Sequence, residues 1–133
     1  MVKSRNFKRL FSIIIAILMI MGISITAFAS DYTSSGSFKV SMTSSDRYFD
    51  GNTIAIDANS SSTNTNYTVT NYKVTLQRKH WYGYEDVGSS TLPKEGRGVV
   101  IFSNVGSGTY RLYYSRANDG GTQHINSARI YSY

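Results

Sequence analysis

Residues 68–79 read TVTNYKVTLQRK. Tyr72, Val74 and Leu76 fall on one parity, and Lys73, Thr75, Gln77 and Lys79 on the other. Successive side chains of an extended chain point to opposite faces. The alternation therefore predicts a strand with one packed face and one wet face.

Working outward, the same period recurs. Residues 37–42 bring Phe38, Val40 and Met42 to one side, and residues 53–58 turn Ile54, Ile56 and Ala58 inward. Residues 109–116 set Tyr110, Leu112 and Tyr114 against Arg111, Tyr113 and Ser115. Residues 98–102, GVVIF, form a continuous apolar run and read as a central strand. A weak strand over 85–89 and a last strand over 122–131 complete the set. No stretch after residue 30 sustains the i, i+3, i+4 spacing of an amphipathic helix. Tyr, Thr, Ser and Val are abundant, as strands favour.

Turn chemistry separates these runs. Asp50-Gly51-Asn52 and Asn118-Asp119-Gly120-Gly121 supply residues that tolerate positive φ. Leu92-Pro93-Lys94-Glu95-Gly96 resembles a sortase signal with Glu95 where Thr belongs, but the strands after it are needed for the core, so it reads as a hairpin turn. Residues 58–66, ANSSSTNTN, carry neither charge nor a large apolar side chain and read as a surface loop. About seven short strands at regular spacing imply an all-β fold, a two-sheet antiparallel sandwich.

Residues 104–112, NVGSGTYRL, resemble the corner before strand F of immunoglobulin-like and fibronectin-III-like domains. The resemblance implies that Tyr110 gives its hydroxyl to nearby backbone, and that the sandwich is immunoglobulin-like. The chain has no cysteine, so the antibody disulfide has no counterpart. A shared fold transfers no activity.

The first 29 residues read as an address. Lys3, Arg5, Lys8 and Arg9 precede a nearly unbroken apolar run over 10–25, and Ala27-Phe28-Ala29 follows. That is a secretory signal peptide, of a kind resembling those of Gram-positive bacteria, with cleavage expected after Ala29. Residues 30–36 are then a flexible start and 37–133 the domain. The expected location is extracellular, with membrane contact only through the signal segment.

Charge follows from the same division. The whole chain holds 14 bases and 8 acids, a net +6. Four of those bases lie in the address, which leaves ten against eight and a net +2. A nucleic-acid partner would need a clustered basic face, so none is expected.

The sequence carries no obvious catalytic constellation. His80 and His124 have no ligand spacing around them, and Glu85 and Asp86 are adjacent in a strand and so point apart. Gly106-Ser107-Gly108 is not a nucleophile elbow, and no phosphate loop is present. The expectation is a non-enzyme without cofactor or metal; a hydrolase is the least supported reading.

The distinctive segment is Arg78-Lys79-His80-Trp81-Tyr82-Gly83-Tyr84, which holds the single Trp. If the alternation of residues 68–79 continues, Trp81 joins the outer face, where it could stack on a sugar ring or anchor a protein. The competing and preferred reading is a bulge near Gly83 that returns Trp81 to the core, as sandwich domains often bury one Trp. The candidate ligand-binding residues are Lys79, Trp81, Tyr82, Tyr84 and Tyr113. The leading functional expectation is a binding module for an extracellular or cell-wall polysaccharide or for a protein. The alternative is a bacteriocin-like effector acting on competing cells, and the low mature charge weighs against it. Either the strand over 37–42 or the one ending at Tyr133 is expected as an open edge able to pair with another chain.

Overall fold

The computed structural model describes residues 30–63 and 68–133. The proposed signal segment lies outside them. The described chain folds as β1 (Asp31–Phe38), β2 (Ser41–Thr43), β3 (Arg47–Phe49), β4 (Ile54–Ser62), β5 (Asn71–His80), β6 (Gly83–Pro93), β7 (Gly96–Phe102), β8 (Gly108–Ser115) and β9 (Gln123–Ser132). Two antiparallel sheets pack as a sandwich. One has the order β1-β9-β4-β7; the other has the order β2-β8-β5-β6, with β3 also on β8.

On β4, β5 and β8 the inward faces are those the alternation gives; the strand expected over 37–42 is instead split, with Phe38 ending β1, Met42 in β2 of the other sheet and Val40 exposed in the turn between them. Tyr72, Val74 and Leu76 of β5 meet Ile54, Ile56 and Ala58 of β4 in one core with Tyr110, Leu112 and Tyr114 of β8. Aromatic rings fill much of it. Phe38 lies edge-on to Tyr72 at 5.9 Å, and Phe49 edge-on to Tyr110 at 6.3 Å. Ser60 projects inward and shares a 2.6 Å hydrogen bond with the Tyr72 hydroxyl.

The corner at residues 104–112 has the expected local geometry. The Tyr110 hydroxyl donates to the carbonyls of Val105 and Gly106. Asn104 and Gly106 supply the left-handed backbone, at φ 58 and 74. The strand order, however, is not immunoglobulin-like. In that fold the last strand lies in the sheet of strands C and F. Here β9 lies between β1 and β4. Chain and sheets interleave as in a jelly roll. A tyrosine corner reports how one strand leaves a loop, not which strand it pairs with.

Several expectations are corrected. Residues 31–38 are not a loose start: β1 pairs with β9 from Asp31↔Tyr131 to Phe38↔Gln123. Residues 58–62 are not loop but the end of β4, paired with β9 throughout and with β7 as far as Ser60. Their small polar side chains suit a strand whose ladder bonds, rather than side chains, hold it. Residues 83–93 form the longest strand, not a weak one. Its period is masked by a bulge at Val87, between Leu76↔Gly88 and Gln77↔Asp86. The strand over 98–102 lies at the edge of its sheet and not in the centre, while the last strand is interior. The segment 92–96 turns as expected, but it crosses from one sheet to the other and makes no hairpin.

A buried ionic knot closes one end. Arg116 Nη2 lies 2.6 Å from Asp119 Oδ1, and Lys94 Nζ lies 3.3 Å from Asp119 Oδ2. Arg116 also donates to the carbonyls of Lys39 and Gly121, which ties the β1–β2 turn to the β8–β9 connection. The Gly121 amide, then Lys94 and Arg116, hold the Asp119 carboxyl below its ordinary value against the opposing effect of burial.

Candidate functional site

Strands β5 and β6 pair from Asn71↔Pro93 to His80↔Gly83, so Trp81 and Tyr82 form a two-residue turn. Neither turn residue takes a positive φ; that conformation falls on Gly83, the residue that follows the turn, at φ 136, which only glycine adopts readily. Neither turn residue has a strand beside it. Trp81 is 96% exposed and Tyr82 63%. Trp81 is thus not in the core, because the bulge expected near Gly83 lies four residues further on.

The tip is nevertheless ordered by its own rings. The imidazole of His80 stacks on Tyr82 at 4.9 Å with planes 4° apart. Trp81 stands edge-on to Tyr82 at 5.5 Å. His80 Nε2 lies 2.7 Å from Glu85 Oε2 across the hairpin, which fixes the imidazole under the tyrosine. The result is a projecting aromatic platform on a strand-held stem.

The other candidate residues sit below it and have different surroundings. Lys79 and Tyr84 oppose each other on the outer face. The Tyr84 hydroxyl donates to both carboxylate oxygens of Asp46 at 2.8 Å, and Lys79 Nζ lies 3.2 Å from Asp46. The Asp46 carboxyl is held below its ordinary value, by the Tyr84 hydroxyl first and then by Lys79 and Arg111. The Arg111 guanidinium lies 3.3 Å over the Tyr84 ring and donates to Gln77, which donates to Asp86. These groups satisfy one another, so Lys79 and Tyr84 brace the stem. Tyr113 pairs with Thr75, four residues or about 13 Å down the strand from Lys79, and is half-buried. The structure therefore brings Trp81, Tyr82 and His80 together and leaves Tyr113 apart.

The two histidines lie on different sheets. His124 hydrogen-bonds Ser37 at 2.7 Å, far from the His80–Glu85 pair.

Sequence reasoning missed a cleft of about 230 Å³ between β1 and the broken edge of β2 and β3. Core residues Leu112, Tyr114 and Ile130 line it with Met42, and Tyr32 and Arg47 stand at its rim. The Arg47 guanidinium lies 5.2 Å over the Tyr32 ring. The buried Tyr114 hydroxyl has no hydrogen-bond partner among the described residues. The one sequence signal was Ser44-Ser45-Asp46, a polar break in an alternating stretch.

The chain matches no protein-family model, and no curated protein sequence resembles it. Among solved structures, it is similar to the CBM36-1 domain of a multidomain xylanase from the hindgut metagenome of Trinervitermes trinervoides. That likeness has 15% identity and a TM-score of 0.48, over 74% of this chain and 84% of that one. It is also similar to the Yersinia pseudotuberculosis-derived mitogen, at 11% identity and a TM-score of 0.47 over 80% and 88% of the two chains. A third likeness is to Aeromonas hydrophila PliG, a periplasmic lysozyme inhibitor of g-type lysozyme, at 13% identity and 0.43 over 77% and 85%. These are remote likenesses of chain path, and no residue role passes from them to this chain.

Proposed function

We propose that this protein is an exported, non-catalytic binding module that grips an extracellular polysaccharide or protein through the β5–β6 hairpin tip. The observation that carries the reading is the exposure of Trp81, 96%, beside Tyr82 on a braced two-residue turn. Trp is a large, mostly apolar side chain that folding usually covers. Covering the indole removes about 200 Å² from water, a gross gain of about 5 kcal/mol before the costs of association. The His80–Tyr82 stack lowers those costs, since ordered rings have less freedom to lose. A flat ring presented with a perpendicular neighbour suits the apolar face of a sugar, with a protein surface as the second fit. Lys79 and Tyr84 enter as support for the stem rather than as direct contacts, and Tyr113 lies outside the proposed site.

The test is retention of the purified protein on isolated cell-wall polysaccharide, run beside Trp81→Ala. Retention should be lost in the variant while circular dichroism is unchanged. Equal retention of both forms places the site elsewhere, and no retention of either rejects a wall polysaccharide as the ligand.

A further inference from the structure

The sandwich has four strand edges: β1 and β7 bound one sheet, and β2 with β3 and β6 bound the other. Exposed edges invite pairing with another chain, and soluble proteins blunt them with bulges, breaks, charges or proline. Three of these edges are blunted. β1 slips register between Ser34 and Gly36. The second edge is broken between Thr43 and Arg47. β6 bulges at Val87 and ends on Pro93.

The β7 edge has no bulge, break or proline. Its register with β4 runs unbroken from Ile54↔Phe102 to Ser60↔Gly96. Its one charge, Arg97, is bound to Asp57 of β4 at 2.6 Å. Val99 and Ile101 are 52% and 57% exposed on the outer face. Among the described residues, its backbone pairs only with β4.

We propose that β7 pairs antiparallel with β7 of a second copy, joining two four-stranded sheets into one of eight. The occupant follows from the edge itself. A second copy offers a strand of the same kind, unbroken in register and with Val99 and Ile101 exposed at alternate positions. A two-fold contact asks the patch to complement itself. Directly opposed residues must share a face, so odd positions meet odd ones. An axis at Val100 sets Val99 against the partner's Ile101 twice on the outer face. On the inner face Gly98 lies under Pro93 and Leu92 and Phe102 packs over Gly88, so the side-chain pairing falls on the outer face. Both exposed β-branched side chains are then used in cross-strand pairs.

Sedimentation of the purified protein at high micromolar concentration tests this. The wild type should show a doubled mass. Val99→Lys with Ile101→Lys puts like charges opposite each other and should return a monomer with unchanged circular dichroism. Val99→Lys with Ile101→Glu puts Lys opposite Glu and should restore the doubled mass. A monomeric wild type overturns the proposal, as does a dimer that persists in the double-lysine variant. Failure of the Lys/Glu pair to restore it overturns the register. Hydrogen exchange of the wild type gives a second reading that needs no variant: β7 amides should slow as concentration rises, and concentration-independent exchange overturns the pairing.

Discussion

The protein uses aromatic rings in two opposite ways, at the β5–β6 tip and along the interior face of β8. At the tip, Trp81 and Tyr82 stand in water, and their ring contacts are with each other and with His80. Inside, Tyr110 and Tyr114 are almost wholly covered and touch Phe49, Phe38 and Tyr72. Interior rings fill the space between the sheets, with Phe38 of one meeting Tyr72 and Tyr114 of the other; tip rings touch only one another and His80. Where a ring's removal would leave the fold intact, folding does not account for the ring, and binding is the use proposed.

Stability measurements can break this contrast. The largest effect should come from Tyr110→Ala, which empties a core site and deletes the corner. It should cost about 3–5 kcal/mol, read from the urea midpoint. A loss below about 1 kcal/mol would mean the corner is not what joins the sheets.

Acid comes next, because it acts on the stem of the tip and on the buried knot together. Asp31, Asp46, Asp57 and Asp119 all have folded pKa values below the ordinary 3.8. A carboxyl depressed on folding contributes stability that is full above its unfolded pKa and is lost as pH falls through the folded one. Stability should hold from neutral pH to about 5 and drop below about 4. A Tm that stays level down to pH 2 would contradict it.

A pair of smaller changes sharpens the comparison within β8. Tyr110→Phe removes a hydroxyl that donates to two carbonyls and should cost about 1–2 kcal/mol. Tyr114→Phe removes a buried hydroxyl without a partner among the described residues and should be neutral or stabilise by up to about 1 kcal/mol. Equal costs would show that Tyr114 finds a partner in solution, such as a water in the adjoining cleft. The smallest effect belongs to Trp81→Ala, the variant of the retention test, whose unfolding free energy should stay within about 0.5 kcal/mol of wild type.

Local parity explains what was readable in advance. The inward set Tyr72, Val74, Leu76, Tyr110, Leu112 and Tyr114 follows from alternation alone. Strands β1 and the end of β4 escaped because Ser, Thr and Asn carry no hydrophobic alternation. Of the proposed site, Trp81 and Tyr82 were visible as a cluster. Lys79 and Tyr84 were grouped with them by sequence proximity, but Asp46 and Arg111, distant in sequence, bind them to the stem.

By itself, the sequence determined the two-sheet class, the inward faces of β4, β5 and β8 and the Tyr110 corner, since each depends on side-chain period or a few consecutive residues. Tertiary structure alone decided the order of strands, the exposure of Trp81, the cleft beside Tyr32 and the open edge of β7. Those depend on pairing register and on which strand lies beside which, and such long-range choices leave no period in the chain. The run GVVIF has the composition of a central strand, yet only its place beside β4, with no described strand on its other side, makes it an edge.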